Sequence, residues 1–150
     1  MGISRFVATV LSLLSLVASA RAQALRTLTS STGPAGASEI CGQPVPPPNF
    51  LPPTGSGPVV YLISPCFERQ GGRSRIGPEA YLRDIQLKPS RPSRGEWTPY
   101  DAAAEQVIFE DFQRLLKNRP LNDLSVEIRD YAFSNGVIGK LVSYNMIERP

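Results

Sequence analysis

The stretch TPYDAAAEQVIFEDFQRLLKNRPLNDLSVEIRDYAFSNGVIGKLVSYNMI, residues 98–147, passes from helical to strand periodicity across a single proline. In its first part Ala104, Ile108, Phe112, Leu115 and Leu116 recur at spacings of three and four. Glu105, Glu110, Gln113 and Arg114 fall largely on the other side, the pattern of an amphipathic helix with one buried face. Thr98 is placed to cap it, with Pro99 at the first helical position and Asp101 completing a variant of the capping box. Lys117 to Arg119 suit the negative end of the helix dipole, and Pro120 blocks continuation. On this reading Ile108, Phe112 and Leu116 pack under a sheet, and Phe112→Ala costs roughly 3 to 5 kcal/mol. After Pro120 the period changes to two: Leu124, Val126 and Ile128 alternate with Ser125, Glu127 and Arg129. Asn135-Gly136 then supplies the positive-φ turn of a hairpin. The return strand runs from about Ile138 to Ile147, with Val142, Tyr144 and Met146 on one face.

Upstream, VVYLI from Val59 is a β-branched and aromatic run ended by Ser64 and Pro65, as expected of a short strand. The basic loop CFERQGGRSR follows. In IGPEAYLRDIQLKP, Pro78 opens a short helix, Glu79 sits near its positive end, and Tyr81, Leu82 and Ile85 share one side until Lys88-Pro89 stops it. A strand, two helices and a hairpin make an α+β domain with β-α-α-β-β order: a small three-stranded sheet with two helices packed on one face.

The N-terminal part has a different character. Arg5, an apolar run from Phe6 to Ala18, and small residues at Ala20 and Ala22 form the n-, h- and c-regions of a secretory signal peptide, residues 1–22. The predicted cut follows Ala22, with Ala24 as the alternative. Residues 23–58, rich in Ser, Thr, Gly and Pro and without hydrophobic periodicity, read as a linker that its prolines keep from collapsing onto the domain. The formal net charge of +3 reflects 16 basic and 13 acidic residues; losing Arg5 and Arg21 leaves 14 against 13. So balanced a chain has no overall field to attract nucleic acid. Cys41 and Cys66 would meet an oxidising compartment after export, and spacing alone leaves open a disulfide or two separate thiols.

The chain has no histidine. That removes Ser-His and Cys-His nucleophile pairs, imidazole metal ligation and the usual general base near neutral pH. Two thiols without histidine do not make a zinc site. The carboxylates Asp101 and Glu105 read as dipole and capping residues. A non-catalytic protein without metal or cofactor is expected.

Three segments taken together resemble the polypeptide-transport-associated (POTRA) domain of BamA-type outer-membrane protein assembly factors. IGPEAYLRDIQLKPSRP resembles that family's first helix and following loop, RLLKNRPLNDLSVEI its second helix running into the second strand, and LVSYNMIERP its third strand closed by Glu-Arg-Pro. The resemblance covers residues 59–150, with Ser90 where the family usually has glycine and Leu121 where phenylalanine is common. It implies a non-catalytic module at the periplasmic face of the bacterial outer membrane that binds unfolded outer-membrane proteins and assembly lipoproteins. It also implies further modules and a membrane barrel beyond Pro150, so that the chain is an N-terminal fragment. A stand-alone secreted binding or inhibitor module is the alternative.

The resemblance places the third strand centrally, which makes the second strand, Leu124, Ser125, Val126, Glu127, Ile128 and Arg129, the candidate edge for adding a client strand. The competing reading is an edge guarded by the charges of Glu127 and Arg129. Arg69, Arg73, Arg75, Arg83, Lys88, Arg91 and Arg94 outnumber Glu68, Glu79 and Asp84 across the first loop and helix. They suit either a solvated surface or contact with acidic headgroups or an acidic partner.

Overall fold

The computed structural model describes residues 28–31 and 39–150. The predicted signal peptide, 1–22, and its cleavage residues Ala20 and Ala22 lie outside the described residues. In chain order the elements are β1 (Leu28–Ser31), β2 (Glu39–Ile40), β3 (Gln43–Pro44), β4 (Val59–Cys66), α1 (Pro78–Leu82), α2 (Ala102–Asn118), β5 (Leu121–Ala132) and β6 (Ile138–Glu148). The protein is α+β with a mixed sheet.

The hairpin of β5 and β6 is the framework of the sheet. It is antiparallel, with Leu124 opposite Met146, Val126 opposite Tyr144 and Ile128 opposite Val142. β4 lies parallel to β6 on the other side, from Val59 opposite Gly139 to Cys66 opposite Asn145. Parallel neighbours need a long connection, and α1, α2 and β5 provide it. β6 is therefore central. The sheet order is β1-β5-β6-β4, so the expected three strands are joined by a fourth from within the segment read as linker.

Alternation divides the side chains between two faces. Val60, Leu124, Val126, Ile128, Val142, Tyr144 and Met146 meet Tyr81, Ile85, Ala104, Ile108 and Leu115 from the helical region in the main core. Of the apolar stripe predicted on the second helix, Ala104, Ile108 and Leu115 are buried, Phe112 is half-buried, and Leu116 is 47% exposed. The buried face is centred on Ala104, Ile108, Asp111 and Leu115, at spacings of four, three and four. Leu82, expected beside Tyr81, also faces outward. This transfers the large packing penalty: Leu115→Ala is expected to cost about 2 to 5 kcal/mol and Phe112→Ala distinctly less. Urea denaturation of the two variants checks the order, and equal losses would restore the wider stripe.

The helix starts three residues later than its sequence signals suggest. Asp101 is the cap, its carboxylate accepting from the Ala104 amide at 3.0 Å. Thr98 and Tyr100 are instead held in extended chain beside β4: the Val60 amide donates to the Thr98 carbonyl and the Tyr100 amide to the Pro58 carbonyl, each at 2.8 Å. The first helix is also shorter: it ends in a turn at Arg83–Asp84, after which the chain presents the Gln86 and Leu87 amides to Asp111 on α2. β4 runs through Ser64 and Pro65 to Cys66. Proline is tolerated there because an edge strand does not need every amide for a ladder.

The second sheet face carries the clearest departure from expectation. Val59, Tyr61, Phe133, Val137 and Leu141 are covered there by Ile40 and Val45 from the proline-rich segment. Tyr61 donates its hydroxyl to the Pro46 carbonyl, and Asn135 donates its side-chain amide to the Pro52 carbonyl at 2.7 Å. Part of the segment read as a linker thus docks on the sheet through Ile40, Val45 and the carbonyls of Pro46 and Pro52. Prolines lack an amide N–H and bring no donor that burial would strand, so a carbonyl anchor every few residues is enough. Asn135 and Gly136 belong to a longer connection, Phe133–Val137, closed by the Phe133 amide donating to Val137 at 3.0 Å; Gly136 takes the positive φ of 85°.

Candidate functional site

A strand-addition site needs an edge whose outward N–H and C=O groups are reachable. The sheet's β4 edge is closed by local structure at its start, around Val59 and Val60. Besides the Thr98 and Tyr100 contacts, the Ser90 amide and hydroxyl both donate to the Val60 carbonyl, at 2.8 and 2.6 Å. The Ser90 hydroxyl also accepts from the Thr98 amide at 2.9 Å. The serine hydroxyl adds two ties between the inter-helix loop, the strand and Thr98 that glycine would lack, beyond the amide bond glycine could also make. Farther along, Pro65 offers no N–H.

The opposite edge is β5, where the sequence placed the candidate Leu124–Arg129. Leu124, Val126 and Ile128 point into the main core, which fixes the strand's register. Ser125, Glu127 and Arg129 are half-buried on the other face. The edge is not empty: β1 lies parallel to it, with Leu28, Thr29, Ser30 and Ser31 opposite Val126, Glu127, Ile128 and Arg129. The Arg129 guanidinium donates to the Glu39 carbonyl at 2.6 Å, where the chain enters β2, and its Nε lies 3.8 Å from Glu127. β1 pairs with Val126–Arg129 alone, while β5 extends from Leu121 to Ala132.

Cys41 and Cys66 are joined in a disulfide, with Cα atoms 5.2 Å apart and a sequence separation of 25. It fixes the turn between β2 and β3 to the end of β4. A loop of this size restricts the unfolded chain by about 3 to 4 kcal/mol in the chain-entropy description. Cys41 and Gly42 both have positive φ, so this turn is one that glycine at position 42 eases.

Two buried carboxylates hold the domain together, and neither was singled out from the sequence. Asp111, fully buried on α2, accepts from the amides of Gln86 and Leu87 at 2.8 and 2.9 Å, from Arg114, and from the Tyr144 hydroxyl at 3.3 Å. Burial, and then the neighbouring Asp111, push the Tyr144 hydroxyl far above its ordinary pKa. Glu148, at the end of β6, accepts from Gln70, Ser74, the Arg75 amide and the Tyr81 hydroxyl at 2.6 to 2.9 Å. Burial alone would raise its pKa, but these hydrogen bonds favour the anion and hold it down at about 2. Asp111 left one trace in the sequence, an acid at a core position of the helical period; Glu148 left none beyond the motif in which it sits.

The basic residues of the first loop and helix do not act as one group. Arg69 pairs with Asp123, Arg75 binds the Arg149 carbonyl at 3.2 Å, and Arg91 lies 3.6 Å from Glu96. Arg73, Arg83, Lys88 and Arg94 are exposed on separate segments. Asp84 is engaged by Arg119 at 2.5 Å. The carboxylates Asp101 and Glu105 are likewise in local use, the first as the helix cap and the second accepting from the Tyr100 hydroxyl at 3.2 Å.

Among the described residues no helix is long and apolar enough to cross a membrane, and no cluster of three His, Cys, Asp or Glu side chains could hold a metal ion. In comparison with known proteins, the chain matches no family model, no curated protein and no solved structure.

Proposed function

We propose that this chain is a polypeptide-binding POTRA-type module of an outer-membrane β-barrel assembly protein, acting at the periplasmic face of the membrane and catalysing nothing. Its clients on this reading are unfolded outer-membrane proteins, with assembly lipoproteins as accessory partners. The observation that carries the proposal is the β5 edge, which accepts an extended segment through main-chain pairing, as the four-residue register with Leu28–Ser31 illustrates. Such pairing asks little of the added sequence, which suits a receptor for many different unfolded chains. The order β-α-α-β-β, with the last strand central and parallel to the first of the three, supports the same reading. So do the three sequence segments that resemble the family.

The test is a photo-cross-linking residue at Glu127 in the full-length protein, expressed in cells exporting outer-membrane proteins. Glu127 lies on the candidate edge strand, and its side chain is 40% exposed. Adducts with unfolded outer-membrane proteins are expected there, and none from the exposed face of α2 at Gln113. Absence of client adducts at Glu127, with the protein folded and abundant, would refute the proposal.

A further inference from the structure

The segment that closes the β5 edge belongs to the protein itself and is tethered beside it. β1 is four residues long, Leu-Thr-Ser-Ser, and only Leu28 among them is strongly apolar. It pairs with the middle of a twelve-residue strand, leaving Leu121–Ser125 and Asp130–Ala132 without a β1 partner. Such a short strand gains little and specifies its register weakly, because register is set chiefly by burial of one face. What keeps it in place is proximity. Residues 32–38 connect it to Glu39, whose carbonyl is held by Arg129, the residue opposite Ser31. Two residues farther on, Cys41 is bonded to Cys66 on β4. A connection this short holds β1 near the edge at an effective concentration on the order of millimolar.

We propose that Leu28–Ser31 is a built-in, displaceable strand: it closes the β5 edge when no client is present and competes with an extended client segment for the same main-chain groups. The inference rests on the polypeptide-binding reading for the identity of the competitor, but the closure itself does not. Arg129 and the disulfide set the strength of the competition by fixing where the tether begins. Beyond β1, the end of the strand towards Ser125, where only the Leu121 main chain and the Leu124 amide are locally engaged, gives an incoming strand a place to start pairing before β1 leaves. A closed edge also protects the chain from edge-to-edge association with its own copies while it waits.

The experiment compares the full chain with the variant Thr29→Pro/Ser30→Pro. Two adjacent prolines remove consecutive amides and so block ladder pairing whichever parity faces β5. Amide hydrogen exchange of Val126–Arg129 reads closure directly. Binding of a soluble synthetic peptide of about ten residues alternating valine and threonine, the length of a barrel strand, reads competition. The variant should exchange its outward β5 amides at least about tenfold faster and bind the peptide about tenfold more tightly, the factor expected when an edge closed about nine-tenths of the time is opened. Unchanged exchange would overturn the closure. Faster exchange with unchanged peptide affinity would overturn the competition. Faster exchange with no peptide binding by either chain would refute the polypeptide-binding reading, while leaving β1 as the strand that closes the edge. Unchanged thermal unfolding of the variant keeps these outcomes separate from loss of fold.

Discussion

Replacing Asp111 by alanine should cost about 3 to 5 kcal/mol, a large part of the roughly 5 to 15 kcal/mol that stabilises a domain of this kind. The side chain is fully buried, and both its oxygens face donors. Oδ1 accepts from the Gln86 amide and Arg114; Oδ2 accepts from the Leu87 amide and the Tyr144 hydroxyl. Truncation leaves the buried Leu87 amide without its acceptor and takes one partner each from the part-buried Gln86 amide, the Tyr144 hydroxyl and Arg114, and an unmade bond to a buried donor costs more than a made one contributes. Asparagine is a poor rescue, because its NH2 must replace one of the two oxygens and face donors whichever way it turns. The expected fall in Tm is on the order of 15 to 25 °C. A Tm within a few degrees of the parent would show that water or a rearranged loop serves these amides just as well.

The second large effect is acid lability centred on Glu148. Its carboxyl is depressed in the folded protein from 4.5 to about 2, so the stabilisation is fully present above the unfolded value. It is lost progressively as pH falls from about 4.5 towards 2, where the folded state must also take up the proton. The span corresponds to about 3 kcal/mol. Glu148→Gln should therefore be less stable at neutral pH by a comparable amount, and the gap between the two proteins should close as pH falls through that window. Urea denaturation at a series of pH values measures it. A gap independent of pH would mean that Glu148 contributes by packing rather than as an anion. The network also explains how the end of the chain is held. Glu148 gathers Gln70, Ser74 and Arg75 from the loop before α1 and Tyr81 from α1 itself, while the Arg149 amide donates to the Pro120 carbonyl at 2.7 Å.

Periodicity was enough to place the helix before Pro120 and the two strands after it, because each has an alternation that only one local structure can bury, and a β-branched, aromatic run was enough for the strand beginning at Val59. Local spacing misleads wherever a backbone group finds its partner far along the chain. Thr98 looks like a cap, but its carbonyl is taken by Val60, so the helix waits for Asp101. Phe112 and Leu116 look like core, but the face is turned towards Asp111 by the Gln86 and Leu87 amides. For the candidate site, Leu124–Arg129 could be named as a strand from its alternation. That β1 lies against it could not, since a polar four-residue segment has no period to read.

The sequence by itself determined the α+β order of elements, the two helix-facing strand stripes and the lack of imidazole chemistry, because these depend on residue identity and local spacing. Only the tertiary structure decided that Ile40 and Val45 pack on the second sheet face, that Cys41 reaches Cys66, and that the protein supplies its own strand to β5. Proline-rich and Ser/Thr-rich segments have no amphipathic pattern of their own. Where they settle is fixed by the carbonyl acceptors, thiols and open edges that the rest of the fold presents to them.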